Sequence, residues 1–479
     1  VHIKYLPEGL QILFSPMFEL QGKLVVRSGK EELMAEDVTL LPSDLLDRTV
    51  DGIKEGTAIE VLLDNDLIYS SEKDYLVDRP HLSPGDALND PFILARELEN
   101  RRSYGKALET YLDLLEADSM RLDAAERVAE LYFRMGELAQ AGEYARQVLE
   151  IDAYLPGANF IYGMIRKTEG EFTDVRDGFR WALRSLEFRS ASYQQLAEMD
   201  LMEGDLQGAL QNASLSLSFN ELNLNSYKIM AIVHRLLGDA EQADEVLKGL
   251  LEIDPLNHFA YFEAYLLRPG QGTLDAFNRS FKNEMAREEY LETALFYEGL
   301  GLYEEAVKVL IEAPAYPVID YWLAWLNRAD KDKSNSYLEN ALEASPEYVF
   351  PYRIRTLPVL QWASGQHTSW VSDYYAALIL WKSGKEKEAL EMLEIWEDTP
   401  DFLPFYYSRA HLAGISSEQA RTDMQRALEL DPGQWRIYRD LAEIYSLRGN
   451  NQSALELAET GHELFPGNYI LELALSKYL

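Results

Sequence analysis

Between Ala124 and Ile151 the apolar positions fall into two sets. Ala125, Val128, Ala129 and Tyr132 stand at i, i+3, i+4 and i+7, the spacing of one face of a helix. Leu138, Ala141, Tyr144, Ala145, Val148 and Leu149 form a second such face, with Gly136 between the two. Glycine takes the left-handed conformation that closes a helix, so the segment predicts helix, turn, helix. The pattern then recurs. Ala107, Ala141, Val175, Ala209 and Ala243 follow one another at a constant interval of ~34 residues. Gly136, Gly170, Gly204 and Gly238 keep the same interval, and so do Ala95, Ala129, Gly163, Ala197 and Ala231. Three phased series at one interval do not arise from helical periodicity alone. The small residues fall where paired helices would cross, and overpacking such a crossing costs ~1–3 kcal/mol. Pro255, Pro346, Pro432 and Pro466 follow second helices and stop them.

Residues 1–80 differ in kind. Gln11–Phe14, Gly22–Val26, Glu36–Leu41 and Ala58–Leu63 are short runs with partial alternation, separated by turn residues at Ser15-Pro16, Ser28-Gly29, Asp51-Gly52 and Asp64-Asn65. Four or five strands are predicted, with Asp64–Tyr75 as a closing hairpin. This is a small β-sandwich module or the end of a larger one; a helix through Pro42–Leu46 is the weaker reading. Residues 81–91, rich in proline, read as a linker. A first array of helical repeats is predicted over 92–350. In its sixth unit Arg268–Gly272 is expected to cut a long first helix. Then the phase breaks: Ser334 and Ala389, at equivalent positions, stand more than one and a half periods apart. The excess, 351–369, is expected to be an irregular insertion, the kind of long connection that is often functional. The array resumes over 370–479 and ends in a capping half-unit. The expected fold is therefore mainly α, a solenoid of helix–turn–helix units behind a small strand module.

A period of ~34 residues built as helix, turn, helix resembles the tetratricopeptide repeat, and the resemblance extends over 88–479. It implies superhelical stacking and a concave groove lined by first helices. The whole layout, with "VFPYR" at 349–353 before an aromatic segment, also resembles uncharacterised bacterial proteins in which a carbohydrate-enzyme-like β-sandwich precedes such repeats. That second resemblance implies a link to sugar metabolism.

Charge narrows the partners. The net charge is −36, from 81 acidic and 45 basic residues, and the acidity is spread along the chain. Nucleic acid and anionic membrane are disfavoured, because phosphate binding needs clustered Lys and Arg. There is no cysteine, which removes disulfides, thiol catalysis and Cys-ligated metal. Cytoplasm and periplasm both fit, the first slightly better. No apolar run approaches the ~18 residues of a membrane span, and no signal peptide is visible. The chain opens on Val1, so either a leader was removed or this is a piece of a longer protein. No two of the seven histidines share a helical face at metal-pair spacing. Nucleophile, dinucleotide and phosphate-loop motifs are absent, and Gly299-Leu-Gly301 is a repeat turn. No cofactor is expected.

Aromatics are the remaining signal. Of eight Trp only Trp181 precedes residue 322. By repeat phase, Tyr374, Leu378 and Trp381 face the groove in the ninth unit, Phe402, Phe405 and Arg409 in the tenth, and Arg436 and Arg439 in the eleventh. Arg353, Arg355, Trp362, Trp370, Tyr374, Trp381, Phe405, Arg409 and Arg439 are the candidate binding residues, since Arg beside exposed rings holds carboxylate or hydroxyl groups while a ring stacks. The competing reading is that the rings are core and the arginines pair with nearby Glu. Two functions compete. One is a non-catalytic scaffold whose groove takes a protein, a peptide or its own N-terminal domain. The other is the C-terminal part of a carbohydrate-active protein whose repeats complete or regulate a sugar site.

Overall fold

The computed structural model describes residues 1–6, 9–14, 16, 20–41, 44–54, 56–72, 90–168, 170 and 174–479. The predicted linker lies outside these residues except for Asp90 and Pro91, as do Ser15, Pro42, His81 and the end of the predicted hairpin. The chain divides into two compact units, Val1–Ser280 and Phe281–Leu479. Repeat arithmetic does not mark that boundary, which falls inside the predicted first array.

Among the described residues the first unit opens with seven strands in two sheets. One sheet orders β1 (His2–Tyr5), β2 (Gly9–Phe14) and β5 (Leu46–Asp51) as β1-β2-β5; the other orders β3 (Leu20–Ser28), β4 (Glu31–Leu40), β6 (Glu60–Leu63) and β7 (Asp66–Ser70) as β4-β3-β6-β7. Leu10, Ile12, Phe14 and Leu46 of the first meet Leu24, Val26, Val38, Leu40 and Val61 of the second in one apolar cluster. Burying each such side chain contributes about 1.5–3 kcal/mol, so the module has its own core. Asp64 and Asn65 both take positive φ, 46° and 74°, as the tight β6–β7 turn requires. Sequence reasoning missed β1 and β5. The first is four residues long, and the second, Leu-Asp-Arg-Thr-Val-Asp, buries Leu46 alone.

Among the described residues six helix pairs follow in the first unit, from Pro91–Asn100 to Gln271–Ser280. Ala107, Ala141, Val175, Ala209 and Ala243 are all at most 1% exposed, as expected of helix crossings. Gly136, Gly170, Gly204 and Gly238 hold φ between 76° and 84°, so a side chain there would strain the helix end. At Gly163 the limit is space, since an added Cβ would lie 3.1 Å from the Phe179 ring. Arg268–Gly272 does not cut a first helix. It spans the turn between His258–Leu267 and Gln271–Ser280, the two helices of the sixth pair.

The second unit holds five pairs, Ala286–Gly299 with Tyr303–Ile311 being the first, and a cap, Tyr469–Tyr478. The expected irregular insertion is instead ordered. A short 3-10 turn, Ile354–Thr356, leads into a helix, Leu357–Gln366. The break in repeat phase suggested an irregular segment, but Pro358 sits in the first helical turn, where its missing N–H is no loss, and Gly365 lies in the last, so the extra residues form a helix. Trp322 donates from Nε1 to Thr356 Oγ1 at 3.1 Å, and the Trp325 and Trp362 rings meet edge-on at 5.4 Å. These contacts fasten the added helix to the eighth repeat.

Candidate functional site

The first helices of repeats nine, ten and eleven are Trp370–Lys382, Leu403–Ala413 and Trp435–Leu447. Their burial patterns fix which side chains can meet a ligand. In the eleventh, Ile437, Tyr438, Asp440, Leu441 and Ala442 are buried; in the tenth, Phe405, Tyr406, Ser408, Arg409 and Ala410. The offset between these sets is two positions short of the period. The same short offset relates two hydrogen bonds, Tyr406 Oη to the Pro400 carbonyl at 2.7 Å and Tyr438 Oη to the Pro432 carbonyl at 3.2 Å. The tenth repeat therefore has a shorter first helix, 11 residues against 13. Its inward face is shifted by two positions from the expected phase.

That shift corrects the predicted site in the tenth repeat, and burial corrects it in the ninth. Phe405 and Arg409 are 0% and 2% exposed, and Tyr374 of the ninth repeat is 2% exposed. All three are interior. Arg409 donates to Asp423 at 2.7 and 3.0 Å and to the carbonyls of Glu397 and Leu393 at 2.7 and 3.3 Å. It is a staple between repeats. Trp370 is half-buried among Tyr374, Phe402 and Phe405, and Trp362 is half-buried against Trp325. Arg353 bonds the Glu288 carbonyl at 3.1 Å and pairs with Glu292 at 3.0 Å, and Arg355 pairs with Glu298. These two arginines tie the segment before the added helix to the first helix of repeat seven. They are not brought together with the others.

What does share the face is a different set. Trp381 and His411 stack at 6.5 Å, and Tyr407 lies 4.6 Å from the His411 ring. Tyr407 donates to Asp440 at 2.7 Å, and Arg439 Nε donates to the other Asp440 oxygen at 2.6 Å. Burial, then the bond to Asp440, push the Tyr407 hydroxyl up to about 12. His411 Nε2 stands 3.9 Å from Asp440 Oδ2, beyond hydrogen-bond range, and has no hydrogen-bond partner among the described residues. Arg436 and Arg439 both lie over the Trp435 ring, at 4.6 and 5.5 Å. Trp381, Tyr407 and His411 remain half-buried, each with part of its ring open. Tyr407, His411 and Asp440 were missed by sequence reasoning. The available signal was a tyrosine six residues after a proline, at Pro255/Tyr261, Pro400/Tyr406 and Pro432/Tyr438, which sets the phase of each first helix.

The arrangement offers partly open ring faces and a guanidinium edge, with His411 Nε2 itself buried. Among the described residues no cluster of His, Asp and Glu is grouped to hold a metal ion, and no helix is long and apolar enough to cross a membrane.

A family model described as the tetratricopeptide repeat matches residues 122–154. The helix pairs, their left-handed glycine ends and that match make the array one of tetratricopeptide repeats, and the chain a repeat scaffold with a small strand module at its start. No curated protein matches the chain. Similar solved structures include that of Naa15/Naa10 bound to HypK-THB, at 16% identity and a TM-score of 0.27, covering 81% of this chain and 65% of that one. This chain thus spans just under two thirds of that relative. The C-terminal part of a repeat-containing protein from Cytophaga hutchinsonii is similar at 16% identity and TM-score 0.32, covering 56% of this chain and 99% of the other. Yeast Tom70 is similar at 14% identity and TM-score 0.24, with 81% and 94% covered.

Proposed function

We propose that the chain is a non-catalytic interaction scaffold, and that the first-helix face of repeats nine to eleven binds a peptide segment of a partner protein. The observation that carries this is the row Trp381, Tyr407, His411 and Arg439. Three adjacent first helices contribute to it, and each ring in the row is partly open. Aromatic and Arg anchors dominate binding energy at interfaces, and rings already packed on one side lose little entropy when a ligand covers the other. Tyr407 supports the reading, because its bond to Asp440 holds its ring in place before any ligand arrives. Selection of displayed random peptides on the full chain tests it. Selected peptides are expected to shift the His411 ring resonances and to lose binding on Trp381→Ala. A selection that returns no sequence, or one indifferent to that substitution, contradicts the proposal.

A further inference from the structure

Within the first unit a groove of about 650 Å3 lies between the strand module and the third and fourth repeats. Leu41 and Asp44 line its module side; Leu183, Tyr193, Leu196 and Leu215 give it an apolar floor. Along one wall stand Arg176, Arg180 and Arg184 with Trp181, and Gln211 and Asn212 add amides. Arg176 and Arg180 stand four residues apart on one face of the helix Val175–Ala182, and Arg184 lies in the turn that follows it.

Their charge balance is uneven. Arg176 is met by Asp200 at 2.6 Å and Glu203 at 2.8 Å. Arg180, 62% exposed at its side chain, has among the described residues only a 3.4 Å contact to Asp177, itself 70% exposed. Arg184 lies 4.1 Å from the Trp181 ring and 5.7 Å from that of Tyr154, and has no carboxylate partner among the described residues. Two guanidinium groups therefore keep donors available in a chain whose net charge is −36. The rings also hold Arg184 in place, so little side-chain freedom is left to lose on binding.

We propose that this groove receives an extended peptide segment of a partner protein carrying a carboxylate side chain flanked by aliphatic ones. The guanidinium forks match a carboxylate, the amides can pair with a peptide backbone, and the apolar floor takes the flanking side chains. The acidic surface elsewhere repels such a segment, which confines it to this site.

The test uses the whole chain and a fluorescent twelve-residue probe of alternating Leu and Glu, read by anisotropy. Parallel probes replace each Glu by Gln, by Lys or by phosphoserine. The Glu probe is expected to bind and the Gln and Lys probes to fail. Arg180→Glu, at an exposed position, and Arg184→Gln should each weaken binding roughly tenfold or more. Rising salt should weaken it further, as for any partly exposed charge pair. Absence of binding, equal binding of the Gln probe, or affinity unchanged in both variants overturns the proposal. Tighter binding of the phosphoserine probe overturns the carboxylate assignment.

Discussion

The two units close their first-helix faces differently. In the first, the face is bridged by polar side chains, one on each of two successive first helices. Arg127 Nε donates to Glu99 at 3.1 Å, Lys167 to Gln195 at 2.7 Å, and Arg235 to Glu263 at 2.7 Å, always with the same separation along the chain. Arg127 also pairs with Glu130, and Lys167 with Glu198. The cations and carboxylates there largely answer one another. In the second unit the bridging is aromatic across repeats nine and ten, and Tyr407 reaches Asp440 in the eleventh. A charged ladder leaves little for a ligand to satisfy, whereas rings leave open faces and edges. The comparison teaches that a regular repeat can be self-sufficient, and that departures from its period mark where side chains are released for other contacts.

The largest test of this contrast is Arg409→Ala. Arg409 and Asp423 are among the most buried charges of the second unit, with side chains 2% and 1% exposed. Removing one partner leaves the other charge uncompensated, at a cost of about 3–5 kcal/mol. Thermal unfolding should show a drop of several degrees or more. A change smaller than that of removing an exposed pair, such as Lys4–Glu221, would show that the staple is not what holds repeats nine and ten.

Ala243→Trp probes the regular side. Ala243 is 1% exposed and sits at a helix crossing, so overpacking of at least ~1–3 kcal/mol is expected in urea unfolding. An unchanged midpoint would break the claim that the small-residue series marks crossings.

Asp320, in the first helix of repeat eight (Pro317–Leu326), gives a pH test. Burial pushes its carboxyl up to about 6, from an ordinary value of 3.8. The native state then holds this proton more tightly than the unfolded chain does. The associated stability is complete below pH 3.8 and is lost as pH rises through about 6. Partial solvent access screens the charged form, leaving an effect of ~1–2 kcal/mol. Asp320→Asn should raise the melting temperature at pH 7.5 and leave it unchanged near pH 3.5. Equal stabilisation at both values contradicts the assignment.

These tests separate what was readable from what was not. The constant repeat interval made the helix pairs legible, because Ala at crossings and Gly at helix ends are local requirements of backbone geometry. Trp381 and Arg439, chosen by the same phase, are half-buried on their first helices. Tyr407 and His411 were missed by that phase, since a shorter first helix rotates the tenth repeat's face without altering its second helix, where Ala420 keeps its place. The helix Leu357–Gln366 was hidden because it stands outside the repeat period, which was the signal used to find helices. Arg353, Arg355 and Arg409 were chosen for their charge, and only the fold reveals the carboxylates that answer them.

The central claim concerns the open rings of repeats nine to eleven. It is tested most directly by the affinity of a selected peptide for the unaltered chain and for Trp381→Ala, measured beside the melting temperature of each. Truncating an interface anchor of this type costs about 2 kcal/mol or more, so at least a tenfold loss of affinity is predicted, with the melting temperature shifted by no more than a degree or two. Unchanged affinity in the Trp381→Ala chain would contradict the account.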